Sequence, residues 1–117
     1  MNQQNALAQA IRNKGILIAA HRGVAAGNVP CNTLPAFEAA LRQGADILEL
    51  DIALTGDGNL LVFHPGKEKQ HLGKDVHLEE LTLEEIAQLR YTNVDRDPTD
   101  YGILRWTLFW RPLRTVA

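Results

Sequence analysis

An α/β fold built on parallel strands is what this sequence predicts, and three observations carry the prediction. Ile16-Leu17-Ile18-Ala19-Ala20 is an unbroken apolar run, the pattern of a strand buried on both faces. Residues 32–43 follow with a capping residue and apolar side chains at helical spacing. A second apolar run opens at Asp46, so strand, helix and strand succeed one another as in a βαβ unit, which argues a parallel sheet or a barrel.

The elements follow in order. Ala6, Leu7, Ala10 and Ile11 repeat at helical spacing over residues 3–14, and Gly15 stands where a helix C-terminus favours it, so residues 1–15 read as an amphipathic leader helix. The apolar strand after it ends in His21-Arg22-Gly23, which puts His21 at a strand's C-terminal end. Residues 24–32 are rich in Gly, Ala, Asn and Pro, a loop by composition. Asn32 or Thr33 can cap the next helix, Pro35 suits its first turn, and Phe37, Ala40 and Leu41 form its apolar stripe up to Gln43-Gly44.

The stretch from Gly44 to His64 is the centre of the chain. On a strand, the spacing of Glu49 and Asp51 points both carboxylates to one face with Ile47 and Ala53, while Leu48, Leu50 and Ile52 line the other. Two acids inside an apolar run ask for a cation or for acid/base work. Thr55-Gly56-Asp57-Gly58-Asn59 is a turn too short for a parallel crossover, so residues 60–64 return as an antiparallel strand. A turn centred on Asp57-Gly58 sets His64 opposite Asp51.

Beyond His64, residues 65–74 read as a loop, and Thr82-Leu83-Glu84-Glu85 as a capping box that opens a short helix over 83–90. Residues 91–102 read as a surface loop. The tail, 103–117, changes character, with both tryptophans, three of the 12 basic residues and no acid.

Bulk properties exclude several classes. With 117 residues the chain is one domain at most, and 12 basic against 14 acidic residues leave no positive field for nucleic acid. The single cysteine, Cys31, rules out a disulfide framework and a thiolate metal cluster. No run approaches the ~18 apolar residues of a membrane span, and the N-terminus lacks the basic and apolar regions of a secretory leader; the reading is cytoplasmic.

A histidine ending a strand is by itself most often a structural, hydrogen-bonded residue. The constellation says more: His21-Arg22, Glu49-x-Asp51 and His64 all lie at or near strand ends, where α/β folds gather their sites. Carboxylate oxygens favour Mg²⁺ or Ca²⁺, two histidines serve as proton donor and acceptor or as ligands for Zn²⁺, and the Arg22 fork suits phosphate. The set points to phosphate-ester chemistry.

His21-Arg22-Gly23, Asn32-Thr33-Leu34-Pro35-Ala36-Phe37, and Gly44-Ala45-Asp46 through Glu49-Leu50-Asp51 to Thr55-x-Asp57-Gly58 and His64 resemble the N-terminal signature of the glycerophosphodiester phosphodiesterase family. The resemblance runs from about Ile16 to His64, with an echo in Leu81-Thr82-Leu83-Glu84-Glu85. It implies an α/β chain forming the N-terminal portion of a TIM-type (β/α)8 barrel over residues 16–102. It also implies hydrolysis of glycerophosphodiesters, in lipid and glycerol metabolism, to an alcohol and glycerol 3-phosphate with a divalent cation, Mg²⁺ or Ca²⁺. By the same resemblance His21 and His64 are the catalytic acid/base pair, Glu49 and Asp51 the metal ligands and Arg22 a phosphate contact. One neutral and one protonated imidazole then imply a bell-shaped pH dependence.

Three departures stand out. Cys31 occupies the place of a family glutamate, Pro65 that of an aspartate after the second histidine, and a barrel takes about 250 residues whereas this chain offers about three strands. The family's third metal carboxylate, from a later strand, has no match here. The tail is therefore expected to be an atypical, truncated or frame-shifted ending, or else an amphipathic cover for an open sheet edge. Exposed apolar edges of an unclosed barrel predict self-association. Two other readings accompany the hydrolase: an inactive remnant or assembly module of the family, and an enzyme of the related phospholipase type that cleaves phosphodiesters by cyclisation.

Overall fold

The computed structural model describes residues 3–113. In chain order these form α1 (Gln3–Lys14), β1 (Ala19–His21), α2 (Leu34–Arg42), β2 (Ile47–Glu49), β3 (Ile52–Leu54), β4 (Leu60–Val62), α3 (Glu68–Leu72), α4 (Leu83–Ile86), β5 (Leu104–Arg105) and α5 (Trp110–Leu113). Met1 and Asn2 of the expected leader and residues 114–117 of the expected tail lie outside the described residues.

β1 and β2 pair in parallel, Ala19 with Ile47 and His21 with Glu49, joined by α2: the βαβ unit that the sequence predicts. α2 forms because Ala36, Phe37 and Ala40 give it a buried stripe and Pro35 opens its first turn. Thr33 holds the N-cap position, yet its hydroxyl donates to Pro30 O at 2.7 Å and not to the helix. The helix stops at Gly44 (φ 94°), where Gly44 N bonds Leu41 O and Ala45 N bonds Ala40 O, a Schellman closure that favours glycine at its left-handed position.

β1 differs from the expected doubly buried strand. It starts only at Ala19, and Ile16 and Ile18 are 81% and 60% exposed. Among the described residues β2 is its only strand partner, and none of Ala19, Ala20 and His21 is buried. The approach to β1 is fixed by Asp46, whose Oδ2 accepts from Ile18 N at 2.9 Å and whose amide donates to Ile18 O. Lys14, at the end of α1, pairs with the same carboxylate.

The run from Ile47 to Leu54 breaks at Leu50 and Asp51, and the chain changes partners there. β3 leaves β2 behind and joins an antiparallel sheet of order β3-β4-β5. Its register is Ile52 with Val62 and Leu54 with Leu60, and Phe63 N donates to Asp51 O. Phe63, not His64, therefore stands opposite Asp51, one residue from the expected pairing. The cause is the loop, Gly56-Asp57-Gly58, which spans one odd residue. Gly58 N donates to Thr55 O, and Gly58 takes the left-handed φ of 85° that a three-residue hairpin requires. Asp57 pins it, accepting the Thr55 hydroxyl and the Asn59 amide and, from outside, Leu83 N.

β4 is central and buried on both faces, with Leu61, Val62 and Phe63 fully enclosed. Leu61 and Phe63 face one core with Ala53, Leu72, Leu78, Ile86, Leu89 and Tyr91, while Val62 faces another with Phe37, Phe109 and Leu113. Residues 65–74 are not all loop, since they contain α3. The Thr82/Glu85 capping box forms as predicted, though its helix ends at Ile86. Nor is 91–102 a purely surface segment, because Tyr91 is 1% exposed and packs against the Phe63 ring. In the tail, β5 pairs with β4, and Phe109 meets Phe37 edge-on at 5.1 Å and stacks on Trp106 at 5.6 Å.

Candidate active site

The parallel register sets His21 and Glu49 side by side at the C-terminal ends of β1 and β2. His21 Nε2 and Glu49 Oε2 are 3.7 Å apart, beyond hydrogen-bond reach, and His21 is exposed. Glu49 is partly exposed as a side chain, but its Oε2 is buried without a hydrogen-bond partner.

Directly after His21 the backbone turns sharply. Arg22 (φ 61°) and Gly23 (φ 80°) are both left-handed, and a Cβ on Gly23 would lie 2.6 Å from the Ala36 backbone. This close pass against α2 sends the Arg22 amide to Glu49 O at 2.8 Å and the Arg22 carbonyl to Asn32 N at 2.9 Å. The Arg22 side chain turns inward, with Nε 3.1 Å from Asp51 Oδ2 in an ion pair that falls short of hydrogen-bond angles. Asn32, itself left-handed (φ 58°) and buried, donates from Nδ2 to the same oxygen at 3.0 Å.

His64 follows the end of β4, and its Nδ1 lies 2.7 Å from Pro65 O. A carbonyl can only accept, so Nδ1 carries the proton and Nε2 is the nitrogen left for proton transfer. His21 with Glu49 and Arg22 with Asp51 are thus brought together as pairs. His64 enters the same neighbourhood through its field, which acts with those of Arg22, Lys67 and Asp51 on a further imidazole, His71.

His71, Asn32 and Tyr91 were not among the sequence candidates. His71 lies in α3, half-buried, edge-on to the Phe63 ring, with Nδ1 buried and unpartnered. Burial above all, then the positive charges of Arg22, His64 and Lys67, hold its pKa below the usual histidine value. Cys31 is half-buried beside Arg22, which hydrogen-bonds its sulfur; burial nevertheless dominates and pushes the thiol's pKa up. Only Asn32 had a readable hint, its place in the Asn-Thr-Leu-Pro stretch.

The donor set suits a hard divalent cation in kind, since Glu49 Oε2 is an orphaned buried oxygen and Asp51 is a second carboxylate two residues on. It is short in number: among the described residues no group of three or more His, Cys, Asp or Glu gathers as a metal site.

A parallel βαβ unit with paired histidine and carboxylate at its strand ends defines the chain as the N-terminal portion of a TIM-type barrel of the phosphodiesterase kind. The sequence model of the Glycerophosphoryl diester phosphodiesterase family matches residues 21–110, and the chain belongs to that family. The match runs past Ile103 into the tail. A glycerophosphodiester phosphodiesterase from Caldanaerobacter subterraneus subsp. tengcongensis is 44% identical over 73 residues, 62% of this chain and 30% of that protein. The crystal structure of a glycerophosphodiester phosphodiesterase from Agrobacterium tumefaciens superposes with a TM-score of 0.72 at 29% identity, covering 86% of this chain and 44% of that one. An Oleispira antarctica phosphodiesterase, solved in complex with the product sn-glycerol-3-phosphate, gives 0.56 at 32% identity, over 63% of this chain and 30% of that one. The chain thus spans about a third of the length of the relatives it matches.

Proposed function

We propose that this chain carries the first part of a glycerophosphodiester phosphodiesterase site and cleaves glycerophosphodiesters to an alcohol and glycerol 3-phosphate. The observation that supports it most is the strand-end pairing of His21 with Glu49, with Arg22 and Asp51 paired beside it. In this reading one of His21 and His64 takes the proton of a substrate glycerol hydroxyl as that oxygen attacks phosphorus. The other protonates the departing alcohol, and water then opens the cyclic phosphate. In this reading the Arg22 fork, whose Nε pairs with Asp51, would turn its remaining N–H groups to a phosphate oxygen, and Nε2 of His64 would be the nitrogen that exchanges the proton. Glu49 and Asp51 would hold a Mg²⁺ or Ca²⁺ ion, which when bound supplies charge neutralisation at the phosphate.

The products belong to lipid and glycerol turnover, and a lone unpaired Cys31 accords with a cytoplasmic setting. Among the described residues no helix is long and apolar enough to cross a membrane. The test is release of glycerol 3-phosphate from glycerophosphocholine by the purified chain with Mg²⁺ or Ca²⁺, lost in His21→Ala and in His64→Ala. No release from folded protein, with glycerophosphocholine or with glycerophosphoglycerol at saturation, overturns the activity.

A second reading is favoured by the donor count, since among the described residues no three or more His, Cys, Asp or Glu gather as a metal site. Here the chain is a non-catalytic family module, and the apolar residues exposed along Ile16, Ile18, Ile47 and Ile52 are where it self-associates. Size exclusion that reports an oligomer, with a melting temperature indifferent to divalent cation, supports this reading over the first.

A further inference from the structure

Beside the paired groups lies an open cleft of about 320 Å³, between the loop that follows β1 and the segment from α3 to Asp97. Its walls are latched by a hydrogen bond from Asn93 Nδ2 to Asn28 Oδ1 at 3.2 Å. Cys31 and His71 link the cleft to the candidate site: Cys31 precedes Asn32, which holds Asp51, and His71 lies edge-on to Phe63, the residue before His64. The volume is within the range of small-ligand sites, and nothing in the proposed hydrolysis uses it.

The lining has a definite chemistry. Val29, Pro30 and the Tyr91 ring supply apolar wall, Gln70 and His71 supply polar groups, and Arg96 supplies a charge. His71 is a half-buried part of the wall, and the Gln70 amide beside it offers both a donor and an acceptor to a hydroxyl in the cleft. No Asp or Glu lines the cleft. Asp51, whose charge is felt at Tyr91 in the wall, is already held by Arg22 and Asn32, and Asp95 and Asp97 flank Arg96 in sequence without lining the space. Arg96 is thus the one permanently charged residue of the lining, and a cationic ligand meets no acid and only one aromatic ring, far from the enclosure that binds quaternary ammonium.

We propose that this cleft is the subsite for the substrate's alcohol group, and that it selects polyol headgroups without positive charge against cationic ones such as choline. The proposal rests on the phosphodiesterase reading for the position of the phosphate. The cleft's own prediction concerns binding. Hydroxyls pair with the polar groups of the wall, Gln70 first, whereas a cation meets the like charge of Arg96.

Saturation-transfer NMR titrations of the full chain with glycerophosphoglycerol, glycerophosphoinositol and glycerophosphocholine test it, with glycerol 3-phosphate release followed in the same samples. The two polyol diesters are expected to bind about tenfold more tightly than glycerophosphocholine. Arg96→Glu removes or reverses that preference, and Arg96→Gly, which suits the left-handed φ of 66° there, reduces it. Equal binding of all three, a preference untouched by either variant, or no binding of any overturns the subsite. A polyol preference without release defeats the hydrolase reading and leaves the subsite standing. Release with no headgroup preference does the reverse.

Discussion

Asn32 grips Asp51 by both ends of one amide: its Nδ2 donates to the carboxylate at 3.0 Å, and its Oδ1 accepts the Asp51 amide at a long 3.4 Å. The grip reaches across the chain from the loop before α2 to the break between β2 and β3. It holds the acid at the point where the strand changes sheets, and it requires Asn32 to keep a left-handed backbone.

The two demands on Asn32 separate by substitution. Asn32→Gly keeps the backbone and loses the amide, with an expected cost of about 1–3 kcal/mol. Asn32→Ala loses the amide and strains the left-handed position, for roughly 1–2 kcal/mol more. Urea unfolding of the two variants against the native chain measures both costs. Equal values would remove the backbone part of the account.

Phe109 tests whether the tail is part of the fold. It is 1% exposed between Phe37 and Trp106, so Phe109→Ala is expected to cost about 3–5 kcal/mol. Leu108→Ala, at a half-exposed neighbour, should change stability by about 0.5 kcal/mol or less. A Phe109→Ala variant as stable as the native chain would mean that residues 104–113 do not pack as described.

Stability should fall with acidification in two windows. His71 has a folded pKa below its ordinary value of 6.5, so the unfolded chain takes up its proton first. Its contribution is complete above pH 6.5 and is lost as pH drops through the lower, folded value. Asp57, held down chiefly by the Thr55 hydroxyl and then by Leu83 N, adds a second loss below its ordinary 3.8. Denaturant midpoints of His71→Gln against pH should be flatter just below pH 6.5 than those of the native chain, with the acidic window unchanged.

Divalent cation should stabilise a chain that holds it. At a hundred times its Kd, one bound ion adds about 2.7 kcal/mol. Calorimetry with Ca²⁺ or Mg²⁺ and then with chelator should report a higher melting temperature that returns on removal. Glu49→Gln, which neutralises the carboxylate with the orphaned oxygen, should abolish the response. A shift that survives Glu49→Gln would place the ion elsewhere.

Much of the frame was legible. The apolar stripe of Phe37 and Ala40 and the Thr82-to-Glu85 box became the predicted elements because both patterns are set within a few residues, whereas the run into His21 became a strand, shorter than expected, by pairing with β2. The pairing of His64 differs by one residue from the expected one, because the turn's parity depends on a three-residue loop fixed by Asp57 and a distant Leu83. Tyr91 was read as surface because its polar neighbours hid that Phe63 and the Val62 carbonyl meet it from another element.

The sequence alone singles out the candidate residues, His21, Arg22, Glu49, Asp51 and His64, and the βαβ unit and ribbon that carry them. Tertiary structure decided how they are held. Asn32 and Arg22 converge on one oxygen of Asp51, Glu49 keeps a buried oxygen without a partner, and His71 and Cys31 line a cleft beside them. Those outcomes turn on backbone reversals at Arg22 and Asn32 and on contacts between residues far apart in the chain, and no local pattern encodes either.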